Sequence, residues 1–176
     1  MDNDNTQDVY IDNNPIDCTF DTVQGRFNYR VGAIIIDQGN ILMVKNKSIP
    51  YYYSVGGRVQ VNETSRQAVL REVYEETGVQ FGIDRLGFVY ENFSVNKYKN
   101  FKFHGISLYY YMNNPNTWVN LKDEFRDVDV NDNVTSHILR WIPLDKIGSF
   151  NLVPKFFKTE LFDPTSTVKH IIDISN

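Results

Sequence analysis

The sequence predicts an α+β domain in which helices cover a mixed β-sheet. Segments rich in β-branched and aromatic residues recur along most of the chain, from Tyr29 to Ile174. One long helical pattern, from about Thr64 to Thr77, interrupts these segments, and a shorter one begins at Pro154. Because the helical patterns do not alternate regularly with the strand patterns, their order argues against a βαβα fold.

Size and composition narrow the class of protein. The 176 residues, of which 41% are hydrophobic and 23% are charged, suffice for one domain with a substantial core. The single cysteine, Cys18, excludes an intrachain disulfide. The first residues have neither a basic region nor an apolar run, and no stretch approaches the ~20 apolar residues of a membrane span. We therefore expect a cytoplasmic protein with no membrane partner.

Charge is distributed unevenly along the chain. The net charge of −4, from 22 acids and 18 bases, argues against nucleic acid as a partner. Residues 1–21 contain six aspartates and no base, which leaves 16 acids against 18 bases in the remainder. We therefore predict an acidic N-terminal extension over residues 1–26 and one domain over residues 27–176. The mildly basic surface of that domain suits an anionic phosphate ester.

The first predicted strands lie before the long helix. Two apolar runs, residues 29–37 and 41–45, flank a turn that contains Gly39 and Asn40, a pattern typical of a β-hairpin. A third strand, residues 49–55, contains three consecutive tyrosines. Because aromatic residues of strands usually pack in a core, we expect at least one of these tyrosines to be buried.

The second half of the chain is predicted to contain further strands, a long loop and a helix. Pro154 suits the start of that helix, because its missing N–H has no helical partner there. In chain order we expect strands over 86–93 and 103–112, a loop over 113–136, a strand over 138–143, a helical turn over 144–147, a helix over 154–162 and a strand over 169–174.

Local signals define the ends of the central helix. Thr64 and Gln67 match a capping box, in which each side chain hydrogen-bonds the backbone N–H of the other residue. Gly78 follows at the position where a left-handed residue commonly ends a helix. The helix is therefore expected to begin just after Thr64 and to end just before Gly78.

The same helix places three glutamates on one face. At about 100° per residue, Glu72, Glu75 and Glu76 lie within one sector, with Arg71 as the nearest base and Glu63 just before the helix. Like charges at this spacing repel each other, and a hard divalent cation would relieve the repulsion. A solvated acidic face is the alternative. The neighbouring apolar face, which we expect to pack against the sheet, consists of Val69, Leu70 and Val73.

Gly57, Glu63 and residues 71–79 together match every fixed position of the Nudix box, G-x5-E-x7-R-E-U-x-E-E-x-G-U. The chain therefore resembles the Nudix hydrolases over roughly residues 27–162. The resemblance implies an α/β/α sandwich with a mixed β-sheet. It also implies Mg²⁺ or Mn²⁺ as cofactor and hydrolysis of the pyrophosphate in a nucleoside diphosphate that is linked to another moiety.

The resemblance assigns a role to each residue of the box. Glu75 and Glu76 would bind the metal directly, and Glu72 would bind it or act as the general base. Arg71 would orient the glutamates by salt bridges, and Gly57 would lend a backbone carbonyl to the metal. The supporting positions, which would shape the loop before the helix, are Gly56 and Glu63.

Residues other than the fixed positions of the box supply further candidates. In many Nudix enzymes the base lies elsewhere, and we consider Glu91 and Glu124 for that role. Arg58 directly follows the box glycine and is the first candidate for a phosphate contact, with Arg30 as another. Tyr53 is a candidate for stacking on a nucleobase, since aromatic rings offer a flat apolar face.

The resemblance favours an enzyme that acts on an ADP-ribose-like compound or a nucleotide sugar. The alternatives are a (d)NTP pyrophosphohydrolase and a non-catalytic module that senses a nucleotide. All box carboxylates are present, which favours an enzyme over a sensor. A homodimer is compatible with the resemblance, because dimers are common in the family.

Overall fold

The structure, a computed structural model, describes five stretches of backbone, residues 14–96, 101–115, 124–130, 133–161 and 167–175, and most of their side chains. Side chains are not described at residues 96, 124–130, 133–136 and 175. In chain order the elements are strands β1 (Thr19–Thr22), β2 (Gly25–Ile34), β3 (Ile36–Asp37), β4 (Asn40–Asn46) and β5 (Tyr52–Ser54), helix α1 (Ser65–Thr77), strands β6 (Gly82–Asn96), β7 (Phe101–Asn113), β8 (Glu124–Val130) and β9 (Asn133–Pro143), a 3₁₀ helix (Leu144–Ser149), strand β10 (Leu152–Val153), helix α2 (Phe157–Glu160) and strand β11 (Lys169–Ser175).

Within the described residues these strands form two sheets. The first sheet has the order β1-β2-β7-β6-β11, and the second has the order β10-β5-β4-β9-β8, with β3 paired to β4. The pairs β2–β7, β6–β11 and β5–β10 are parallel, whereas β1–β2, β6–β7, β3–β4, β4–β5, β4–β9 and β8–β9 are antiparallel. Both sheets are mixed, which confirms the predicted α+β class.

Alternating side chains of β2 and β4 separate two hydrophobic cores. Ala33, Leu42 and Val44 pack in one core with Val69 and Val73 of α1. The second core contains Ile34, Ile41 and Met43 with Phe157 of α2 and Leu161. Because successive residues point to opposite faces of a strand, the two helices cover opposite faces. This arrangement confirms the α/β/α sandwich.

The ends of α1 confirm the local signals. The Thr64 side chain accepts the N–H of Gln67 at 3.2 Å, and Gln67 Oε1 accepts the N–H of Thr64 at 2.9 Å. Gly78 follows the helix in the left-handed conformation with φ 72°. The helix therefore begins and ends where its sequence predicts.

The buried stripe of α1 is rotated relative to the predicted apolar face. Ala68, Val69 and Val73 are buried, but Leu70 is 39% exposed, so the expected contact of Leu70 with the sheet is wrong. At about 100° per residue the stripe extends from Ala68 past Val69 and Val73 to Thr77, and Leu70 lies just beyond its edge.

The two runs predicted as one hairpin belong to different sheets. β2 pairs with β1 and β7, whereas β4 pairs with β3, β5 and β9. Only β3 folds back onto β4, and the chain changes sheets at Ile35, whose carbonyl accepts the N–H of Leu42 at 2.9 Å. The turn between β3 and β4 is local, which confirms that part of the prediction. The parallel partner of β2 is β7, whose paired residues lie 77 positions further along the sequence, as in Gly25 opposite Lys102.

The predicted loop over residues 113–136 is wrong in part, because β8 and β9 form an antiparallel hairpin with Val130 opposite Asn133. In β8, Asp127 and Asp129 alternate with Val128 and Val130, and such alternation also suits a strand with one polar face. The predicted helix over 154–162 is observed only as α2, and Phe162 lies outside the described residues. Among the described helices, none is both long and apolar enough to cross a bilayer.

We expect Phe157→Ala to lower the free energy of unfolding by about 3–5 kcal/mol, because it leaves a cavity in a fully buried site. The Phe157 ring contacts the rings of Tyr109 and Phe156 at centroid distances of 5.3 and 5.1 Å. Phe20→Ala is the matched control, since Phe20 is 58% exposed, and we expect a change of about 0.5 kcal/mol. Urea unfolding followed by circular dichroism measures both. Equal losses would contradict the placement of Phe157 in the core.

Candidate active site

The segment between β5 and α1 lies beside β2 and begins the candidate site. The N–H groups of Ala33 and Val31 donate to the carbonyls of Val55 and Gly57 at 2.8 and 2.9 Å. Gly56, between these two acceptors, has φ +139°, and a Cβ there would overlap the Val31 carbonyl. Glycine at position 56 therefore permits the close approach of the segment to β2.

Gly57 permits a second close approach, between this segment and α1. A Cβ at Gly57 would overlap both carboxylate oxygens of Glu72, so the Glu72 carboxylate lies directly against the loop backbone. The Gly57 carbonyl already accepts the N–H of Val31, which leaves one lone pair for any further ligand.

Arg71 connects the loop to the helix. Its Nε and Nη2 donate to the two carboxylate oxygens of Glu63 at 2.8 and 2.9 Å. Its Nη1 donates to Glu72 at 2.9 Å and to Glu75 at 3.2 Å, and its Nη2 also donates to the Arg58 carbonyl at 3.0 Å. The hydrogen bonds from Arg71 hold the pKa of Glu63 below its ordinary value. Arg71 thus fixes three carboxylates and one carbonyl around a single guanidinium.

The orientation of α1 about its own axis determines which of its glutamates are buried. At about 100° per residue, Glu72 and Glu76 lie between Ala68 and Val69 around the helix, inside the buried stripe, whereas Glu75 lies outside it. The Glu72 side chain is accordingly 15% exposed and that of Glu75 is 52% exposed. Two of the three glutamates therefore face the sheet.

Burial changes the proton affinity of these two groups. Desolvation raises the pKa of Glu76 to about 8, although the Gly56 N–H donates to its Oε2 at 3.0 Å and opposes the rise. Desolvation also raises the pKa of Glu72 above its ordinary value, and Arg71 opposes that rise. Repulsion from neighbouring carboxylates raises both pKa values further: Glu75 acts on Glu72, and Glu72 and Glu75 act on Glu76. The helix therefore holds two carboxyl groups where their charged forms are poorly solvated.

The donor set of this surface fits a hard divalent cation. Carboxylate oxygens such as those of Glu72, Glu75 and Glu76 are the ligands that Mg²⁺ prefers. In the part of the chain that the structure describes, no three Asp, Glu, His or Cys side chains form a closed metal-binding group. Arg71 holds two of these glutamates on one side, and Gly56 holds the third on the other. A cation would thus bind some of these carboxylates and complete its shell with water, as Mg²⁺ commonly does.

A cleft of about 480 Å³ opens beside this surface. Gly56 lines the cleft and also contacts Glu76, so it joins the cleft to the carboxylates. The charge of Arg30 acts on both Glu72 and Glu76, lowering the pKa of each. The cleft is lined mainly by aromatic and neutral polar side chains, among them Asn28, Tyr51, Tyr53, Tyr90, Asn92, Ser107 and Tyr109.

The cleft contains some of the substrate-binding candidates. Arg30 and Tyr53 line it, whereas Tyr52 is buried in the core that contains α2, as expected for at least one of the three tyrosines. Arg58 does not line the cleft; its guanidinium contacts Asp17 at 3.0 Å and Asn28 at 3.2 Å. Sequence spacing places Arg58 directly after the box glycine. Its partner Asn28 lines the cleft, so the Arg58 guanidinium lies one side chain away from the cleft.

The two candidates for a distal base lie on strands. Glu91 is on β6 between Tyr90 and Asn92, both of which line the cleft, so its side chain points to the opposite face of the sheet. There its Oε2 lies 3.8 Å from Nε2 of His170. Glu124 begins β8 opposite Leu139, and its side chain lies outside the described residues.

Sequence reasoning missed most of the cleft. Tyr90 and Asn92 on β6, and Ser107 and Tyr109 on β7, line it at alternate positions. That spacing of two is visible in the sequence, but it does not reveal that β6 and β7 are neighbours. A second cavity of about 390 Å³ at another part of the first sheet has a mostly apolar lining with no carboxylate, and it contains none of the predicted site residues.

Comparisons with known proteins agree with this geometry. A sequence model of the NUDIX domain matches residues 26–160. A MutT-like protein of Streptomyces ambofaciens is 33% identical over 61 residues, and a Bacillus subtilis protein provisionally named 8-oxo-dGTP diphosphatase is 42% identical over 53 residues. The alignments cover 35% and 28% of this chain, and the chain spans only 40% and 36% of the length of those relatives.

Solved structures show the same fold. The crystal structure of a MutT protein from Bacillus halodurans aligns with a TM-score of 0.55 and 14% identity, over 81% of this chain and 89% of that chain. An identity this low supports the fold alone, but the domain match extends over most of the chain. The chain therefore belongs to the Nudix family of hydrolases, whose members act on nucleotide-derived substrates and use divalent metal ions.

Proposed function

We propose that this protein is a metal-dependent hydrolase that cleaves the pyrophosphate of a nucleoside diphosphate linked to another moiety. The observation that carries the proposal is the junction at Gly56, where buried carboxylates of α1 meet the cleft. Buried carboxyl groups lower the stability of the folded protein because their charged forms lose contact with water. Such a loss of stability is typical of a functional site. A non-catalytic sensor would not need all of these carboxylates.

We propose Mg²⁺, with Mn²⁺ as the alternative, as the metal. Glu72, Glu75 and Glu76 would hold it, with the remaining lone pair of the Gly57 carbonyl as a further donor. When bound, the metal neutralises charge on the pyrophosphate and acidifies a water molecule. Glu72 serves as a ligand or as the base that accepts the proton of that water. Arg71 keeps Glu72 and Glu75 in place, and Glu63 fixes Arg71 in turn.

The side chains that line the cleft favour a substrate with two phosphates and an uncharged second moiety. Arg30 is the one cationic side chain among the described residues that line it, which suits a pyrophosphate diester better than a triphosphate. Tyr51 and Tyr53, which are partly exposed, supply rings for stacking on a nucleobase, and Asn92 supplies an amide for ribose or sugar hydroxyls. We therefore favour ADP-ribose-like compounds or nucleotide sugars.

A (d)NTP is the second candidate substrate. The Bacillus subtilis relative, whose provisional name refers to 8-oxo-dGTP, favours it. The matched segment covers 28% of this chain, however, and does not extend over the whole cleft. A direct comparison of substrates decides between the two candidates.

Glu75→Gln and Glu76→Gln should each lower kcat/KM by about 100-fold or more, since even outer-shell partners of metals contribute 10- to 100-fold. The assay measures hydrolysis of ADP-ribose, a UDP-sugar and dGTP with Mg²⁺ or Mn²⁺. Glu160→Gln is the matched control, because Glu160 pairs with Lys169 away from the site. A parent protein that binds these nucleotides but hydrolyses none would contradict the proposal and favour a sensor.

Arg30→Met should raise KM by about 10-fold or more and change kcat less, because a hydrogen bond to a charged group contributes about 1.5–3 kcal/mol to binding. Arg66→Met is the control, since Arg66 is exposed on α1 and does not line the cleft. Steady-state kinetics on the preferred substrate measures both constants. An unchanged KM would remove Arg30 from the substrate site.

The stability of the metal-free protein should fall as pH rises from about 4.5 to about 8. In this range folded Glu76, with its pKa of about 8, keeps a proton that the unfolded carboxyl, with a pKa of 4.5, releases. The folded state therefore binds more protons than the unfolded state, and its stability decreases with pH. Glu76→Gln should remove this part of the slope. Urea unfolding at pH 5 to 8.5, with excess chelator, measures the effect; equal slopes for the two proteins would refute it.

Mg²⁺ should stabilise the parent more at pH 8.5 than at pH 6, because metal binding requires the deprotonated carboxylate. The shift in Tm on adding Mg²⁺, measured at both pH values, tests this expectation. A larger shift at pH 6 would argue against Glu76 as a ligand.

A further inference from the structure

A short N-terminal segment pairs with the loop that precedes α1. Residues 16–18, which we call the strap, run antiparallel to residues 59–61, with Asp17 opposite Gln60. Two backbone hydrogen bonds, of 2.8 and 2.7 Å, join the segments, from the Val61 N–H to the Ile16 carbonyl and from the Cys18 N–H to the Val59 carbonyl. The strap thus extends along the middle of the loop over residues 57–63.

The strap also holds a side chain of that loop. Nη1 of Arg58 donates to Oδ2 of Asp17 at 3.0 Å, and Nε of Arg58 donates to Oδ1 of Asn28 at 3.2 Å. Asn28 is buried on β2, so it is a fixed acceptor. The Arg58 guanidinium is therefore held between the strap and the first sheet.

The opposite side of the same loop contacts the glutamate network. The Arg58 carbonyl accepts Nη2 of Arg71 at 3.0 Å, and the same nitrogen donates to Glu63 at 2.9 Å. The Gln60 N–H, also in the loop, donates to the same Oε2 of Glu63 at 3.0 Å. The loop is thus held by the strap on one side and by the Arg71–Glu63 pair on the other.

We propose that Asp17 is a positioning residue for the glutamates that bind the metal. Asp17 fixes Arg58, the Arg58 carbonyl helps to orient Arg71, and Arg71 holds Glu72 and Glu75. The inference rests on the proposed function, because it assigns metal binding to these glutamates. Asp17 lies before the residues 26–160 that match the NUDIX domain, so its contact is a feature of this chain outside the family match.

Loss of the Asp17 carboxylate should weaken metal binding without unfolding the protein. The backbone hydrogen bonds of the strap remain in Asp17→Asn, so the fold is retained, but Arg58 loses its ionic partner. Replacing a residue that orients metal ligands commonly costs 10- to 100-fold in affinity. Because Asp17 acts indirectly, through Arg58 and Arg71, we expect a smaller loss of metal affinity, about 3- to 10-fold.

The first test measures Mn²⁺ binding to the full chain by isothermal titration calorimetry, without substrate. Asp17→Asn should raise the Kd for Mn²⁺ by about 3- to 10-fold, and Asp17→Glu should restore most of the affinity. Asp21→Asn is the matched control, because it removes the same charge from a nearby residue that pairs with Arg26 at 2.6 Å. Parent-like binding by Asp17→Asn would overturn the proposal, and so would an equal loss in Asp21→Asn.

Hydrogen exchange supplies a readout that needs no metal. Peptides that cover residues 58–63 should exchange faster in Asp17→Asn than in the parent or in Asp21→Asn, while the Tm changes little. Unchanged exchange in this loop would overturn the proposal. If Arg58 instead bound a substrate phosphate, Asp17→Asn would change KM and leave both Mn²⁺ binding and loop exchange as in the parent.

The same variants separate this inference from the proposed function. A parent that hydrolyses no nucleotide, but binds Mn²⁺ in a way that depends on Asp17, would contradict the proposed function alone. A parent that is active, with Asp17→Asn equally active at every Mg²⁺ concentration, would contradict the positioning role alone. A parent that binds no Mn²⁺ would overturn both.

Discussion

The candidate site depends on the guanidinium of Arg71. It donates to Glu63, Glu72 and Glu75 and to the carbonyl of Arg58, so it joins the loop before α1 to the helix itself. Three carboxylates at this spacing would otherwise repel one another. Because the guanidinium is planar and always charged, it compensates them and fixes their directions at the same time. The geometry of the site therefore follows from one side chain with several acceptors.

Close packing adds a second constraint, which acts on solvation. The missing side chain at Gly57 lets Glu72 lie against the loop backbone, and the phase of α1 turns Glu76 toward the sheet. Both carboxyls lose water and their pKa values rise. Such groups lower the stability of the metal-free domain, and a bound cation would offset that loss. The fold thus holds two carboxyl groups, whose charged forms are unfavourable, where the cleft begins.

The strap and the cleft show how distant parts of the chain complete the site. The cleft combines residues of β2, β6 and β7 with the segment around Tyr53, and the strap adds Asp17 from before the family domain. Tyr53 lies just before the box and β6 begins just after it, at Gly82, but β2, β7 and Asp17 are distant from the box in sequence. Pairing between strands that are far apart in sequence brings these pieces together. The sequence alone does not specify which strands lie beside each other in a sheet.

The sequence by itself determined what is local: the capping box at Thr64, the end of α1 at Gly78 and the spacing of the box. Helical periodicity and backbone hydrogen bonding act within a few residues, so these signals could be interpreted without a structure. Only the tertiary structure decided that Leu70 is exposed, that the two apolar runs before Asn46 belong to different sheets, and that residues 124–130 form a strand. It also placed the Arg58 guanidinium between Asp17 and Asn28, and Asn28 lines the cleft. These outcomes depend on which strands pair and which helix face is buried, and both are set by contacts between residues far apart in sequence.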